Sequence, residues 1–419
     1  MTKYHGTKAS AAICAGLLSL ALIGCGSGST PASEASAANN TTTETAVVSN
    51  ATTAAATNAN ETSANSSDTY TDRDLRQTAD TSGAKAITVQ SGEDVNITEE
   101  GVYVLSGTAT NATVRVQADE TAKVQLVLDG LNITNETAPA IYVLSADKVF
   151  VTTAEGSQNG LSVTGAFAAD GETNLDGAIF SKDDLVLNGL GTLTINSSDH
   201  GVVAKDDLKV TGGTYTITTS GDAMQANDGI YVAGGTFTME AGSDGLQSDV
   251  LVQVDGGTMN IRAAEGIEST TVQINDGTIE ISASDDGINA TTKSNDASVT
   301  PSITIAGGDV AITMGQGDTD ALDANGSIYI TGGTVNITAQ SAFDFDQTAE
   351  LTGGTVYVNG EQVSTIENSM MGGGMGGHGG MMGEGGPGGM GGRHGEFQDG
   401  GPQGDMSMGG TTQGDVMQG

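Results

Sequence analysis

The chain has 419 residues, with 52 Asp and Glu against 14 Lys and Arg and a formal charge of −38 at pH 7. It has no Trp, 4% aromatic residues and 63 glycines, which excludes a core built on large rings and suits a narrow interior of Val, Ile, Leu and Thr. The acidity excludes nucleic acid as a partner, because phosphate contacts need cationic side chains, and it opposes acidic polysaccharides unless a cation bridges them.

Residues 1–25 have the form of a lipoprotein signal peptide. Lys3, His5 and Lys8 make a basic start, and 11–23 is an apolar run too short to span a bilayer. The run ends in Leu22-Ile23-Gly24-Cys25, a lipobox-like sequence in which Cys25 is the lipidation site. A plain secretory signal that ends near a Cys is the simpler alternative. With the signal removed, Cys14 is lost and Cys25 carries lipid, so the mature chain is expected to have no disulfide. The expectation is a protein exported and lipid-anchored to the bacterial membrane or cell surface, touching the membrane only through its anchor. Residues 26–84 are Ser-, Thr- and Ala-rich without an apolar period, and predict a disordered tether.

From residue 85 the pattern becomes period-2 alternation broken by Gly, Asp and Asn, as in AKAITVQSGEDVNI and KVQLVLDGLNIT. No stretch of the body has a helical period. From Gly177 the chain locks into rows of 22, each an alternating triplet, a Gly turn, a second alternating stretch, then an acid, a small residue and an apolar one. The Thr after the Gly turn recurs at Thr192, Thr214, Thr236 and Thr258, with Thr278, Asp309, Thr334 and Thr355 continuing less strictly. A fixed period of this length predicts a solenoid. The fold expected is all-β: a single right-handed parallel β-helix over residues 85–362, of roughly a dozen coils at about 4.8 Å spacing. Val202, Met224, Leu246, Ile267, Ile288, Leu322 and Phe343 form its third inward column. An insertion between Ala290 and Pro301 breaks the period and predicts a surface loop. Residues 363–419 are Gly- and Met-rich and predict a disordered tail; thioethers with His378 and His394 have the donors for Cu(I), but the spacings are irregular.

The acids repeat with the same period. Asp222, Asp244, Glu265, Asp286 and Asp320 stand two residues before the third column, and Glu268, Asn289, Asp323 and Asp344 one residue after it. Asp183, Asp184, Asp206, Asp207, Asp228 and Asp249 occupy the following corner, and Asp285 adjoins Asp286. Like charges stacked at about 5 Å repel by about 0.9 kcal/mol even in bulk water, so such a ladder holds protons or cations. Its hard oxygens suit Ca²⁺, and several ions are expected, with ligands drawn from Asp183, Asp184, Asp206, Asp207, Asp222, Asp228, Asp244, Asp249, Asp285, Asp286, Asn289, Asp320 and Asp323. Asx-turn capping is the competing role of the same residues. Lys182 and Lys205, in SKDDL and AKDDL, are either counter-charges to the Asp pairs beside them or the base of a lyase. His200 lacks the companion motifs of a two-carboxylate glycosidase.

The rows GAIFSKDDLVLNGLGTLTI, DHGVVAKDDLKVTGGTYTIT and GGTFTMEAGSDGLQSD, with LVLDGLNITNETAPAIYVLSADKVFVTTAEGSQN upstream, resemble a bacterial carbohydrate-binding β-helix family. That family is typified by a clostridial cellulose- and pectin-binding surface protein. The resemblance covers about residues 85–362. It implies a pectate-lyase-like β-helix, several bound Ca²⁺ ions, and binding of cellulose or polyuronate without lyase activity. The GKD-like corners of the family become Ala226-Asn227-Asp228 and Ser248-Asp249-Val250 here, and one acidic position is Glu265, so calcium sites in those rows are altered. The expected protein is a monomeric, non-catalytic, calcium-dependent polysaccharide binder. A lyase with Lys182 or Lys205 as base, or a purely structural rod, are the alternatives.

Overall fold

In the computed structural model Thr192, Thr214, Thr236, Thr258, Thr278, Asp309, Thr334 and Thr355 are successive partners in parallel strands. The period in sequence is therefore a column in space. The structure describes residues 69–171, 173–293, 299–317 and 319–369. The signal peptide, Cys25, the linker before residue 69 and the tail beyond 369, with His378 and His394, lie outside the described residues. Among the described residues no helix is long and apolar enough to cross a membrane.

The body is a parallel β-helix. Its third face is an eleven-stranded sheet, one strand per coil, running from Val95–Ile97 to Ser341–Phe345. The first and second faces count as one sheet because Gly101–Thr110, Lys123–Asn135, Ser327–Thr338 and Ala349–Val358 run through the corner between them unbroken. Each strand obeys the alternation that encodes it. In Thr214–Thr219, Tyr215 and Ile217 are buried while Thr214, Thr216 and Thr218 face water, where a β-branched side chain suits the pleated surface. The third inward column is continuous from Val202 to Phe343 and fully buried.

Two corners explain recurring residues. Between the first and second faces Gly213, Gly235, Gly257 and Gly277 take φ of 99°, 119°, 98° and 117°, which side chains resist. Between the second and third faces the small residue of the acid–small–apolar triplet turns toward the core. A Cβ on Gly245 would lie 2.4 Å from Ile261 Cγ2, and one on Gly266 2.5 Å from Ile281 Cγ2. The small residue thus aims its neighbouring acid outward.

The structure departs from the sequence expectation at the entry to the body. Residues 69–83, expected to belong to the tether, lie along the outer surface of the first face. Asp74 is wholly buried, its carbonyl accepts from Asn188 and Thr211, and its carboxylate is 3.6 Å from Lys148. Arg73 stacks 4.4 Å above Phe150, and Gln77 accepts from the Gly189 amide while donating to the Thr211 carbonyl. A segment of polar composition orders here because the solenoid supplies partners for its backbone and charge. At the other end Glu361–Val363 pairs antiparallel with Ala349–Val358, and Ile366 packs on the core. This hairpin covers an edge otherwise open to strand addition.

Candidate cation site

The acidic ladder occupies two adjacent columns of the third face. Asp244 pairs with Glu265 across one coil step, and Gln247, Glu268, Asn289, Asp323 and Asp344 follow one another in register. The insertion after Ala290 leaves this register intact, since Ala290 still pairs with Ala324.

Three carboxylates converge. Asp244, Glu265 and Glu268 each place a ligand oxygen within 4.8 Å of the others, and Asp244 and Glu268 are buried. Burial, with the charges of Asp222, Glu268 and Glu265, pushes the Asp244 carboxyl up to about 8. Burial and the charge of Glu268 push Glu265 up to about 7. Two amide oxygens border the group. Gln247 and Asn289, 7% and 9% exposed, flank Glu268 in register, and Gln247 Oε1 and Asn289 Oδ1 are buried without a hydrogen bond. The Asn289 amide nitrogen donates to Glu265 at 3.1 Å, which turns its oxygen away from that carboxylate. Leaving a buried acceptor unpartnered costs on the order of 1–3 kcal/mol, so two beside three carboxylates mark a place made for a donor or a cation. The donor set is wholly oxygen and largely anionic, which fits a hard divalent ion such as Ca²⁺.

The other predicted ligands divide by partner. Asp222 has both oxygens engaged: Oδ1 accepts from the Asp244 amide at 3.1 Å, while Oδ2 accepts from Gln225 and lies 3.2 Å from His200 Nδ1. Asp286 accepts from the Asp320 amide, and Ser341 donates to Asp320. Burial and the surrounding acids raise Asp286 to about 6 and Asp323 to about 7, and Asp285 adds an exposed charge beside Asp286. At the next corner Asp183 accepts from the Ala146 amide, which is turn chemistry, and Asp184 pairs with Lys148 at 3.4 Å. Asp206 is pushed up to about 6 by burial, then by its contact with Asp228 and the charge of Asp184; Asp207 is raised by burial and Asp184. Asp249 offers its carbonyl, not its carboxylate, to Thr270. The structure thus brings together Asp244 and Asn289 of the predicted set, with Glu265 and Glu268 of the ladder.

Two residues of the site went unremarked in the sequence. Gln247 was legible, because it stands in the column of Glu268 and Asn289. Lys293 was not. It lies in the insertion, where no period applies, and its ammonium is 2.5 Å from Glu268. Lys182 and Lys205 do occupy equivalent corners, but they make no ion pair among the described residues: Lys182 lies 6.0 Å from the Tyr142 ring centre and Lys205 5.4 Å from that of Phe180. Of the tyrosines among the described residues, Tyr70, Tyr103, Tyr142 and Tyr215 are buried, and Tyr231, Tyr329 and Tyr357 are half-buried, with Tyr231 close to Asp184, Asp207 and Asp228 rather than to the Asp244 cluster.

Fold and site define a parallel β-helix that carries an acidic rail along one face. A family profile described as carbohydrate-binding domain-containing protein matches residues 91–359, and the chain belongs to that family of carbohydrate-binding proteins. A relative of the same description from Acetivibrio thermocellus is 38% identical over 126 residues, which are 29% of this chain and 44% of the relative, so the match spans less than half of that protein's length. A solved structure, the polysaccharide lyase-like protein from C. thermocellum as a gadolinium derivative, is 23% identical with a TM-score of 0.37, covering 66% of this chain and 94% of that one.

Proposed function

We propose that the protein is a non-catalytic, calcium-dependent binder of polysaccharide, with polyuronate as its favoured ligand class over neutral cellulose. One observation carries this: the Asp244, Glu265 and Glu268 carboxylates converge beside two unpartnered amide oxygens. Asp244, Glu265 and Glu268 would hold the ion, with the Gln247 amide oxygen next to Glu268 in register and Asn289 orienting the Glu265 carboxylate. A bound divalent ion supplies positive charge on a surface that otherwise repels uronate carboxylates. The family supports carbohydrate as the ligand. The scarcity of accessible rings supports an ionic rather than a stacking mode. The positions of Lys182 and Lys205 over aromatic rings support binding without elimination, because neither is drawn to the carboxylate cluster. In this reading the protein is a monomer, exported and held at the bacterial surface through lipid on Cys25.

The test is retention of the full-length mature protein on immobilised polygalacturonate. Retention is expected in calcium and lost after chelation, and E265Q/E268Q is expected to weaken it at least tenfold. Retention unchanged by exhaustive chelation would overturn the cation bridge. Formation of unsaturated, ultraviolet-absorbing product on incubation with pectate would overturn the non-catalytic assignment. Mass spectrometry of the mature N-terminus tests the lipid.

A further inference from the structure

Lys293 brings a cation of the chain's own to this site. Its Nζ lies 2.5 Å from Glu268, whose side chain is buried. The contact is held by a fixed backbone: the Lys293 N–H donates to Thr270 Oγ1 at 3.2 Å, and that buried hydroxyl donates to the Asp249 carbonyl at 2.6 Å. Lys293 also stands at the start of the insertion between Ala290 and Pro301, the longest break in the period of this half of the body. Three carboxylates and one ammonium leave two formal negative charges. The ammonium, moreover, does not satisfy the site, because its ion pair is with Glu268 while Gln247 Oε1 and Asn289 Oδ1 remain unpartnered.

We infer that Lys293 is a tethered counter-cation that competes with a divalent ion for the Asp244–Glu265–Glu268 site, so that uptake of the ion displaces the ammonium from Glu268. A carboxylate oxygen shared with a Lys ammonium is a poor metal ligand, since its electron pairs already receive N–H donors and a positive charge stands within reach of the incoming ion. The chain without metal is spared an uncompensated cluster, and the site fills only where the ion is abundant. Extracellular calcium modules work at about 10⁻⁴–10⁻³ M, and a site with an internal competitor belongs at that weak end. Unlike Lys182 and Lys205, which rest on rings, Lys293 thereby sets the affinity of the site.

The inference rests on the cluster being a cation site, and the experiment separates the two. Calorimetric Ca²⁺ titration of the full-length mature protein compares wild type with K293M, K293R and E265Q/E268Q, each first shown to melt cooperatively. K293M is expected to bind Ca²⁺ about tenfold tighter or more, and to melt at lower temperature than wild type in chelator because the cluster has lost its counter-charge. K293R, which keeps the charge, is expected to stay within about threefold of wild type. Equal Ca²⁺ affinity in K293M and wild type would overturn the competition while leaving the cation site standing. Identical Ca²⁺ titrations of E265Q/E268Q and wild type would overturn the cation site itself.

Discussion

Tyr70 donates a 2.9 Å hydrogen bond to Asp255, a residue 185 positions further along the chain. Asp255 also accepts from Gln253 at 2.7 Å and Asn275 at 2.6 Å, so the tyrosine closes a network that links neighbouring coils. From there residues 71–77 run back across earlier coils to Asp74 and Lys148. Burial and Asp255 together raise the Tyr70 hydroxyl, which keeps it a donor. Y70F is expected to cost about 1 kcal/mol, the usual net worth of one hydrogen bond. D74A is expected to cost about 3 kcal/mol, because it leaves the half-buried Lys148 ammonium with Asp184 alone and the Thr71 amide without its acceptor. Urea denaturation of both variants checks the ratio. Equal, negligible effects would show that the segment is not part of the cooperative unit.

The carboxylates of the rail make the metal-free protein pH-sensitive. Asp244 at about 8, Glu265 and Asp323 at about 7 and Asp286 at about 6 all lie above the ordinary carboxylate value near 4. The folded state therefore holds protons that the unfolded chain has released, and stability falls as pH rises from about 4 through about 8. In chelator the melting temperature is expected to drop by roughly 5 °C between pH 5 and pH 8. Calcium removes the drop by supplying the missing positive charge and by binding only the folded state. A pH-independent melt in chelator would show that these groups do not titrate as the packing implies.

His200 and Asp222 predict a different profile at the head of the rail. The neutral ring accepts the Asp222 amide proton at Nδ1, 2.8 Å away, and the same nitrogen is 3.2 Å from Asp222 Oδ2, which a protonated ring would address. Burial opposes the charge on His200, but the bond and charge of Asp222, with Asp199 and Asp176, outweigh it and raise the imidazole. Burial likewise opposes the Asp222 charge, and His200 outweighs it and lowers the carboxyl. The raised His gives stability that is full below about 6.5 and lost as pH rises through its folded value. The lowered Asp gives stability present above about 4 and lost as pH falls through its own. H200Q is expected to cost about 2 kcal/mol at pH 5.5 and clearly less at pH 8.5. Nuclear magnetic resonance titration of the imidazole gives the independent check.

The inward small column predicts intolerance to a single methyl group. A Cβ at Gly245 would sit 2.4 Å from Ile261 Cγ2 and 2.5 Å from the Gly266 carbonyl oxygen. G245A is expected to cost about 2 kcal/mol through overpacking against a backbone that cannot retreat from its hydrogen-bonded ladder. Because the same residue aims Asp244, the variant is also expected to weaken calcium binding. Thermal melts with and without calcium separate the two losses.

Much of this architecture is legible in the sequence. In a solenoid of constant coil length, a fixed offset in sequence becomes a fixed neighbour in space, so the Thr column from Thr192 to Thr355 and the apolar column from Val202 to Phe343 followed from spacing alone. The placement of Asp244, Glu265, Glu268 and Asn289 on one face followed in the same way. What the period cannot express, the tertiary structure decided. Residues 69–83 have no repeat to align, yet the first face orders them through Asp74, Gln77 and Tyr70. The acids of one column are alike in sequence but not in partner: Asp222 and Asp286 each accept the amide of the acid one coil on, Asp222 alone adds His200, and Asp244 meets other carboxylates. Lys293 comes from the insertion that breaks the repeat. Register encodes which residues stack, because every coil has the same length. Charge pairing depends on side chains brought in from outside the register, and only the folded chain puts them there.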